Sequence, residues 1–247
     1  MKRHLEWQRD FHTEAALCTA FIEWLKTQQG WTPYAETAGW DILLVHADGT
    51  QVGVQAKLKF NISVLCQAIE SGLGWDEIGP DFRAIMVPQD QGADTLCAAL
   101  GLTLIRPRKH YSGSFTFEPS LDKHVYGYQR WHFMNPKKRH ELPKYVPDVP
   151  AGVPSPSALT KWKIAALEIC AVIELRGYVR LSDFRLAGID HRRWRENWLE
   201  PVPDKPGDWR WLNGNDPFSK QHPVVYPQVL AKVKERGVQI PQDGKLI

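Results

Sequence analysis

Cysteine is scarce in this chain, and the spacing of the few that occur excludes two common kinds of site. The 247 residues include 4 cysteines, Cys18, Cys66, Cys97 and Cys170, and no two of them form a C-x-x-C pair. Each lies within an apolar stretch, so we expect small buried side chains in a reducing compartment, not disulfides or zinc ligands. The 9 histidines show no H-E-x-x-H spacing, which also argues against a zinc site.

Long apolar runs are absent as well. No run approaches the ~20 residues that cross a bilayer. The first ten residues, MKRHLEWQRD, are not followed by the apolar stretch of a signal peptide. The 43% of hydrophobic and 24% of charged residues are ordinary for a globular protein. We therefore expect a cytoplasmic protein with no membrane partner.

The net charge of +3 is unevenly distributed along the chain. Residues 1–105 carry 7 Lys and Arg against 13 Asp and Glu, a net charge of −6. Residues 106–247 carry 24 against 15, a net charge of +9. An acidic half suits the collection of cations, and a basic half suits contact with a polyanion such as nucleic acid.

The N-terminal part predicts an α/β domain with a mixed sheet. Thr13 is a candidate N-cap for a helix that runs to about Gln28. Two β-prone runs flank Asp48-Gly49 and predict a hairpin. Together with the remaining signals they give the order α-β-β-β-α-β-α-β, with elements near residues 13–28, 31–36, 41–46, 52–59, 62–71, 83–88, 93–100 and 102–105.

Composition divides the chain into three segments. Residues 1–107 form the α/β core, and residues 108–156 form a basic, aromatic extension that ends in a proline-rich linker. Strands are predicted in that extension near residues 115–117 and 125–133. Residues 157–247 show helices near 160–176, 182–188 and 190–198, then a hairpin and a last helix near 224–236. Three helices, the third of them basic, followed by a hairpin suggest a mainly helical, winged-helix domain.

Three polar residues interrupt the apolar strands of the predicted hairpin. Asp41 begins the first strand, and Gln55 and Lys57 lie two apart on the second, so they project from one face. Carboxylate and amide oxygens are ligands for Mg²⁺ or Mn²⁺, and an ammonium group can position water or neutralise a phosphate. The alternative is a polar strand face that points to solvent.

The loop of the hairpin decides whether these side chains meet. A two-residue Asp48-Gly49 loop would set Asp41 opposite Ala56, on the wrong face. A three-residue loop, with Gly49 in the left-handed conformation, would set Asp41 opposite Gln55. Both loops are compatible with the sequence, and the catalytic interpretation requires the second.

The pattern Asp41-x13-Gln55-Ala56-Lys57, followed by a helix and the strand RAIMVP, resembles the PD-(D/E)xK nuclease superfamily. Its Q-x-K form is similar to the Mrr-like restriction-endonuclease branch, and the resemblance covers about residues 10–107. It implies a restriction-endonuclease-like αβββαβ core and cleavage of a nucleic-acid backbone that depends on Mg²⁺ or Mn²⁺. Two departures are that Gly39-Trp40 replaces the usual proline and that Gln55 replaces an acidic residue.

The resemblance also implies further site residues. Glu14 matches an acidic residue on the first helix that completes the site in related enzymes, so Glu14, Asp41 and Gln55 would hold the metal. A glutamate in a first helical turn also stabilises the helix dipole, which is the alternative for Glu14. Gln67 matches a glutamine on the later helix, with a structural role as the alternative. Glu36 is a further candidate ligand, although we expect it to face solvent.

Basic residues supply the candidate nucleic-acid contacts, with simple surface charge as the alternative. They are Lys137, Lys138 and Arg139 in the extension and Arg192, Arg193 and Arg195 on the third helix of the C-terminal domain. The leading hypothesis is a DNA endonuclease with Glu14, Asp41, Gln55 and Lys57 as catalytic residues. The alternatives are a catalytically degenerate nucleic-acid-binding protein and an RNA-directed nuclease. The sequence is compatible with a homodimer.

Overall fold

The structure is a computed structural model and describes residues 10–70, 78–89, 92–121, 131–152 and 159–238. The chain divides into two compact units. The first comprises Met1–Lys144 and Val149–Pro156, and the second comprises Tyr145–Asp148 and Ser157–Ile247. Within the described ranges, no helix combines the length and apolar character that a membrane span requires.

The first unit is mixed α/β, as predicted, with the predicted order of elements. Its six strands are hydrogen-bonded in chain order; the β3–β4 and β4–β5 pairs are parallel, and the other pairs are antiparallel. The elements are α1 (Glu14–Leu25), β1 (Trp31–Thr37), β2 (Trp40–His46), β3 (Gln51–Ala56), α2 (Ile62–Glu70), β4 (Phe82–Met86), α3 (Asp94–Ala99), β5 (Thr103–Lys109) and β6 (Phe115–Glu118).

The strands predicted within the basic extension have different outcomes. The one near residues 115–117 is confirmed as β6, which joins the sheet beside β5. The other, near residues 125–133, falls largely on residues 125–130, which lie outside the described part of the chain. Residues 131–133 form no strand.

Helices cover both faces of this sheet. Alternate residues of a strand point to opposite faces. On β4, Ala84 and Met86 join the apolar core that includes α1, whereas Ile85 joins the core that includes α2 and α3. Burial on both faces explains why the central strands are apolar at consecutive positions.

The loop between β2 and β3 confirms the longer of the two alternatives. Ile42 lies opposite Val54, and the His46 N–H donates to the Thr50 carbonyl at 2.8 Å. This pairing leaves a three-residue loop that ends at Gly49, whose φ is +87°. The left-handed conformation favours glycine because it has no Cβ. The register therefore takes the form that the catalytic interpretation requires.

A close contact between β2 and β3 depends on a second glycine. A Cβ built on Gly53 would lie 2.3 Å from Cε2 of Trp40. The Trp40 side chain is buried, and its indole N–H donates to Nε2 of His140 at 3.3 Å. Gly53 therefore provides the space in which the Trp40 ring lies, directly beside Asp41 in the chain.

The second unit contains helices and a small antiparallel sheet with strand order β7-β9-β8. Its first helix begins after Thr160, whose hydroxyl accepts the Lys163 N–H, and ends at Gly177, with φ +84°. The sequence predicted a helix over residues 160–176 that stops at Gly177; in the structure Thr160 is its N-cap. The elements are α4 (Lys161–Arg176), β7 (Val179–Arg180), α5 (Leu181–Ala187), α6 (Arg192–Asn197), β8 (Leu199–Pro201), β9 (Asp208–Trp211), 3-10 turns at Leu212–Gly214 and Ser219–Gln221, and α7 (Val225–Glu235).

Part of the proline-rich stretch belongs to this second unit. The carboxylate of Asp148 accepts the N–H groups of Val224 and Val225 and also contacts Nδ1 of His222 at 3.0 Å. The first N–H groups of a helix have no partner within it, and Val224 has no side-chain acceptor. Asp148 therefore caps α7 from a distant point of the chain.

The cysteines partly match their expected burial. Cys18, Cys97 and Cys170 are buried, and the four cysteines form no disulfide with one another. The expectation was wrong for Cys66, which is exposed. Cys66 lies on α2, a helix with apolar neighbours on only one side, so an apolar sequence context did not decide its burial.

We expect Gly53→Ala to destabilise the protein. The added methyl group would push against the buried Trp40 ring, and overpacking of this kind costs roughly 1–3 kcal/mol. Chemical denaturation would measure the loss. Gly79→Ala is the matched control, because a Cβ there would lie at an ordinary 3.6 Å from Arg83. Equal stability of the two variants would contradict the proposed steric role of Gly53.

Candidate active site

The ladder between β2 and β3 ends one step before Asp41. Ile42 and Val54 form the last pair, and the same register sets Asp41 opposite Gln55. Beyond this pair, the Ala56 N–H donates to Oδ2 of Asp41 at 2.7 Å. A side-chain oxygen therefore replaces a backbone carbonyl as the acceptor. The Asp41 carboxylate is thus held at the end of the ladder.

Gln55 is buried beside this end of the ladder, and its amide is oriented. Its Nε2 donates to the Gly39 carbonyl at 2.7 Å. A carbonyl oxygen only accepts hydrogen bonds, so the NH₂ group must face Gly39. The oxygen of the Gln55 amide is therefore the atom of this side chain that is chemically suited to a cation.

Lys57 lies just beyond the end of β3 and pairs with the first helix. Its Nζ donates to Oε2 of Glu14 at 2.7 Å, and the two side chains are 26% and 30% exposed. Glu14 stands in the first turn of α1, where the helix dipole also favours a carboxylate. The two roles considered for Glu14 are therefore compatible with each other.

Burial raises the pKa of Asp41 above its ordinary value. The hydrogen bond from Ala56 and the charge of Lys57 act in the opposite direction, whereas the charge of Glu14 raises the pKa further. Asp41 is therefore a partly desolvated carboxylate whose charge is only partly compensated by the protein. A group of this kind gains stability when a cation binds beside it.

Glu36 is a further carboxylate at the same end of the sheet. Ala35 pairs with Ile42, and Thr37 pairs with Trp40, but Glu36 between them has φ +46° and forms no strand pair with Asp41. The side chain is exposed, as expected, and its Oε1 accepts the Gly152 N–H at 2.8 Å. The chain turns between β1 and β2 at Ala38-Gly39, where both φ values are positive, as in a two-residue hairpin turn.

The buried thiol of Cys18 locates these charges around one point of α1. Burial raises its pKa, and the charges of Asp41, Glu36 and Glu14 raise it further, whereas Lys57 lowers it. The charges of Asp41, Glu36, Glu14 and Lys57 thus all act on one residue of α1. Gln55 pairs with Ile85 and lies on the α2–α3 side of the sheet, so the structure does not bring it into this cluster. Gln67, in contrast, is exposed on α2.

The donor atoms of this cluster are of the kind that Mg²⁺ prefers. Carboxylate and amide oxygens are hard ligands, and the buried, partly compensated Asp41 carboxylate suits a divalent cation. In the conformation described, Glu14 faces Lys57 and Glu36 faces the backbone of Gly152. Among the described residues, no group of three or more His, Cys, Asp or Glu side chains has metal-holding geometry.

The three basic residues at positions 137–139 have different surroundings. Nε of Arg139 donates to Oδ2 of Asp81 at 2.8 Å, and this almost fully buried carboxylate also accepts the Gln51 N–H at 2.7 Å. Lys138 forms an exposed pair with Glu141. Arg139 therefore compensates a buried charge, a role that the sequence did not indicate, and Lys137 and Lys138 remain predicted nucleic-acid contacts.

The three arginines of α6 are exposed, as predicted. Trp194 is buried, and the helix turns its guanidinium groups outward at positions 192, 193 and 195. The guanidinium carbon of Arg195 lies 4.3 Å from the ring centroid of Trp209 on β9. This cation–π contact holds one of the three charges in place.

Comparisons with known proteins add no identification. No family model matches the chain, and neither the curated proteins nor the solved structures include a significant match.

We expect Asp41→Asn to gain stability relative to the wild type as the pH rises. Because burial raises the pKa of folded Asp41, the ionised wild type is penalised above the unfolded pKa of about 3.9, and the penalty is complete above the folded pKa. Asparagine can still accept the Ala56 N–H. Thermal melts in EDTA should show an advantage of the variant at pH 7 that disappears near pH 3. A variant less stable than wild type by the same amount at every pH would contradict this role of Asp41.

We expect Arg139→Ala to lower the free energy of unfolding by roughly 1–3 kcal/mol, because the buried Asp81 carboxylate loses its cation. Lys138→Ala removes the same formal charge from an exposed pair and should leave stability unchanged. Urea denaturation of both variants would measure the difference. If the two were equally stable, Arg139 would belong with the surface charges.

Proposed function

We propose that the chain is a metal-dependent endonuclease that hydrolyses phosphodiester bonds of DNA. The observation that carries the proposal is the Asp41 carboxylate at the end of the β2–β3 ladder, within electrostatic reach of Lys57 and Glu14. Parallel strands β3 and β4 end at this edge, which is where ligands commonly bind in α/β sheets. The restriction-endonuclease-like αβββαβ core belongs to the same proposal, and the order and register of the strands support it.

Each residue has a defined role in this proposal. Asp41, Glu14 and the amide oxygen of Gln55 would hold Mg²⁺ or Mn²⁺, which polarises the phosphate and lowers the pKa of an attacking water. Lys57 donates hydrogen bonds from Nζ to that water or to a phosphate oxygen. For this, Lys57 must leave its ion pair with Glu14, which frees the carboxylate for the cation.

Glu36 is a candidate to replace the acidic residue that is missing at position 55. The charges of Asp41 and Glu36 both raise the pKa of Cys18, so the two carboxylates lie near the same part of α1. We therefore assign Glu36 to the proposed cation site, as a second carboxylate that replaces the one lost at position 55.

In this proposal the second unit binds the DNA. Helices α4, α5 and α6 followed by the β8–β9 hairpin, with β7 completing the sheet, support a winged-helix module. The exposed Arg192, Arg193 and Arg195 on α6 would contact phosphates or base edges. Lys137 and Lys138 would add contacts from the first unit.

A second candidate is a non-catalytic nucleic-acid-binding protein built on the same core. The closed ion pair between Lys57 and Glu14 and the neutral Gln55 favour it. This protein would bind nucleic acid in a salt-sensitive way and cleave nothing under any divalent cation. An RNA-directed nuclease differs from the leading proposal only in its substrate.

The test is a cleavage panel over supercoiled, linear, single-stranded and branched DNA and RNA, with Mg²⁺, Mn²⁺ or EDTA. We expect metal-dependent nicking of DNA that EDTA abolishes. Lys57→Ala should lose at least about 10²–10³-fold in rate, because it removes a cation that stabilises developing charge. Asp41→Ala should abolish cleavage, and Glu36→Gln should weaken metal affinity roughly 10- to 100-fold.

Lys59→Ala is the matched control, since it removes the same charge from an exposed position two residues further on. It should cleave like wild type. Wild-type rates in both Lys57→Ala and Asp41→Ala would exclude the assigned site. Binding without cleavage under every cation would support the second candidate, and cleavage of RNA alone would support the third.

A further inference from the structure

The second unit contains a continuous set of aromatic rings around buried Trp194. Its ring centroid lies 5.0 Å from that of Phe218 and 5.4 Å from that of Trp198. Phe218 in turn contacts Trp198 at 4.9 Å and Trp162 at 6.0 Å. We call Trp162, Trp198 and Phe218 the aromatic surface. It connects the first turn of α4 with the residue that follows α6.

The side chains of the aromatic surface are only partly buried in the core of the second unit. Trp162 is 48% exposed, and Trp198 and Phe218 are half-buried, whereas Trp194 is 1% exposed. Trp194 therefore supplies the packing, and the outer rings leave aromatic area in contact with water. Aromatic rings that contact one another and reach the surface offer a ligand a connected apolar area.

The charges beside the aromatic surface are mainly positive. Lys161 and Lys163 flank Trp162, Lys220 follows Phe218 by two residues, and Arg195 lies one helical turn before Trp198. The nearest acidic residues in the chain are Asp216, two residues before Phe218, and Glu196 and Glu200, each two residues from Trp198. Asp216 Oδ1 accepts the N–H groups of Phe218 and Ser219, and Glu200 accepts a hydrogen bond from Arg210. Residues 159–238 as a whole carry 14 Lys and Arg against 10 Asp and Glu.

Flat apolar rings bordered by cations fit a ligand with exposed ring faces and negative charge. Unpaired nucleobases on a phosphate backbone have both properties. In a duplex the base faces are stacked on each other and are inaccessible, so duplex DNA would use the cations but not the rings. The aromatic area thus distinguishes single-stranded from double-stranded nucleic acid.

We propose that the aromatic surface stacks unpaired bases, so that the protein binds DNA with single-stranded segments in preference to uniform duplex. The inference rests on the nucleic-acid-binding part of the proposed function and is independent of cleavage. The rings take the base faces, and Lys161, Lys163 and Arg195 contact the neighbouring phosphates. The preferred substrate class is then DNA with gaps, flaps or open junctions.

The experiment is fluorescence anisotropy with the full chain in EDTA, using a labelled oligo(dT) strand and a duplex of equal length. Trp162→Ala should weaken oligo(dT) binding roughly 5- to 150-fold, the range for losing one stacked base, and change duplex binding less than about 2-fold. The salt dependence of oligo(dT) binding should keep its slope, because no charge is removed. Lys161→Ala should instead reduce that slope by about 0.7.

Two further variants separate stacking from general apolar contact. Trp162→Phe keeps a ring and should retain most of the affinity for oligo(dT). Leu186→Ala removes an apolar side chain that is 81% exposed elsewhere in the same unit, and it should bind like wild type. Circular dichroism would verify that each variant is folded.

The outcomes separate this proposal from the proposed function. Duplex binding that exceeds oligo(dT) binding, or equal losses on both probes in Trp162→Ala, would overturn the stacking role and leave the DNA grip intact. Concentration-dependent dimerisation that Trp162→Ala abolishes would assign the surface to a second copy of the chain. Absence of binding to either probe would remove both proposals.

Discussion

The candidate site depends on the register between β2 and β3. Side chains alternate between the two faces of a strand, so a shift of one residue would move every side chain of β3 to the other face. The loop that ends at Gly49 prevents that shift by adopting a conformation with φ +87°. The apolar residues on both faces then select the same pairing, because Val52 and Val54 must enter the core that includes α1. One turn and one core thus determine together where Asp41 lies.

The carboxylates of the site destabilise the folded state, and local contacts offset only part of this effect. Asp41 is desolvated, and Glu14 adds a second negative charge nearby. The Ala56 N–H and the Lys57 ammonium offset some of this effect. Position 55 is buried as well, and a neutral amide there avoids a further desolvated charge, which gives a physical reason for glutamine. Natural proteins retain such destabilising charge chiefly where it serves binding or chemistry.

Local patterns predicted the elements well, and contacts between distant segments were not predictable in the same way. The order of elements in the first unit, the end of α4 at Gly177 and the outward arginines of α6 followed from periodicity and helix-stop signals. The exposure of Glu36 was predicted, whereas its contact with the Gly152 N–H, 116 residues away in the chain, had no local signal. The role of Arg139 could not be derived, since its partner Asp81 is 58 residues away in the chain and no local pattern links them.

Each of the two units is made of two separate segments of the chain, which affects how recombination could exchange them. Tyr145–Asp148 belongs to the second unit, where Asp148 caps α7, whereas the next residues return to the first unit, where the Gly152 N–H holds Glu36. A single recombination event between residues 144 and 157 would therefore leave at least one unit incomplete. Exchanging one unit without the other would require three crossovers, at 144/145, 148/149 and 156/157. The interleaved segments thus favour inheritance of the two units together.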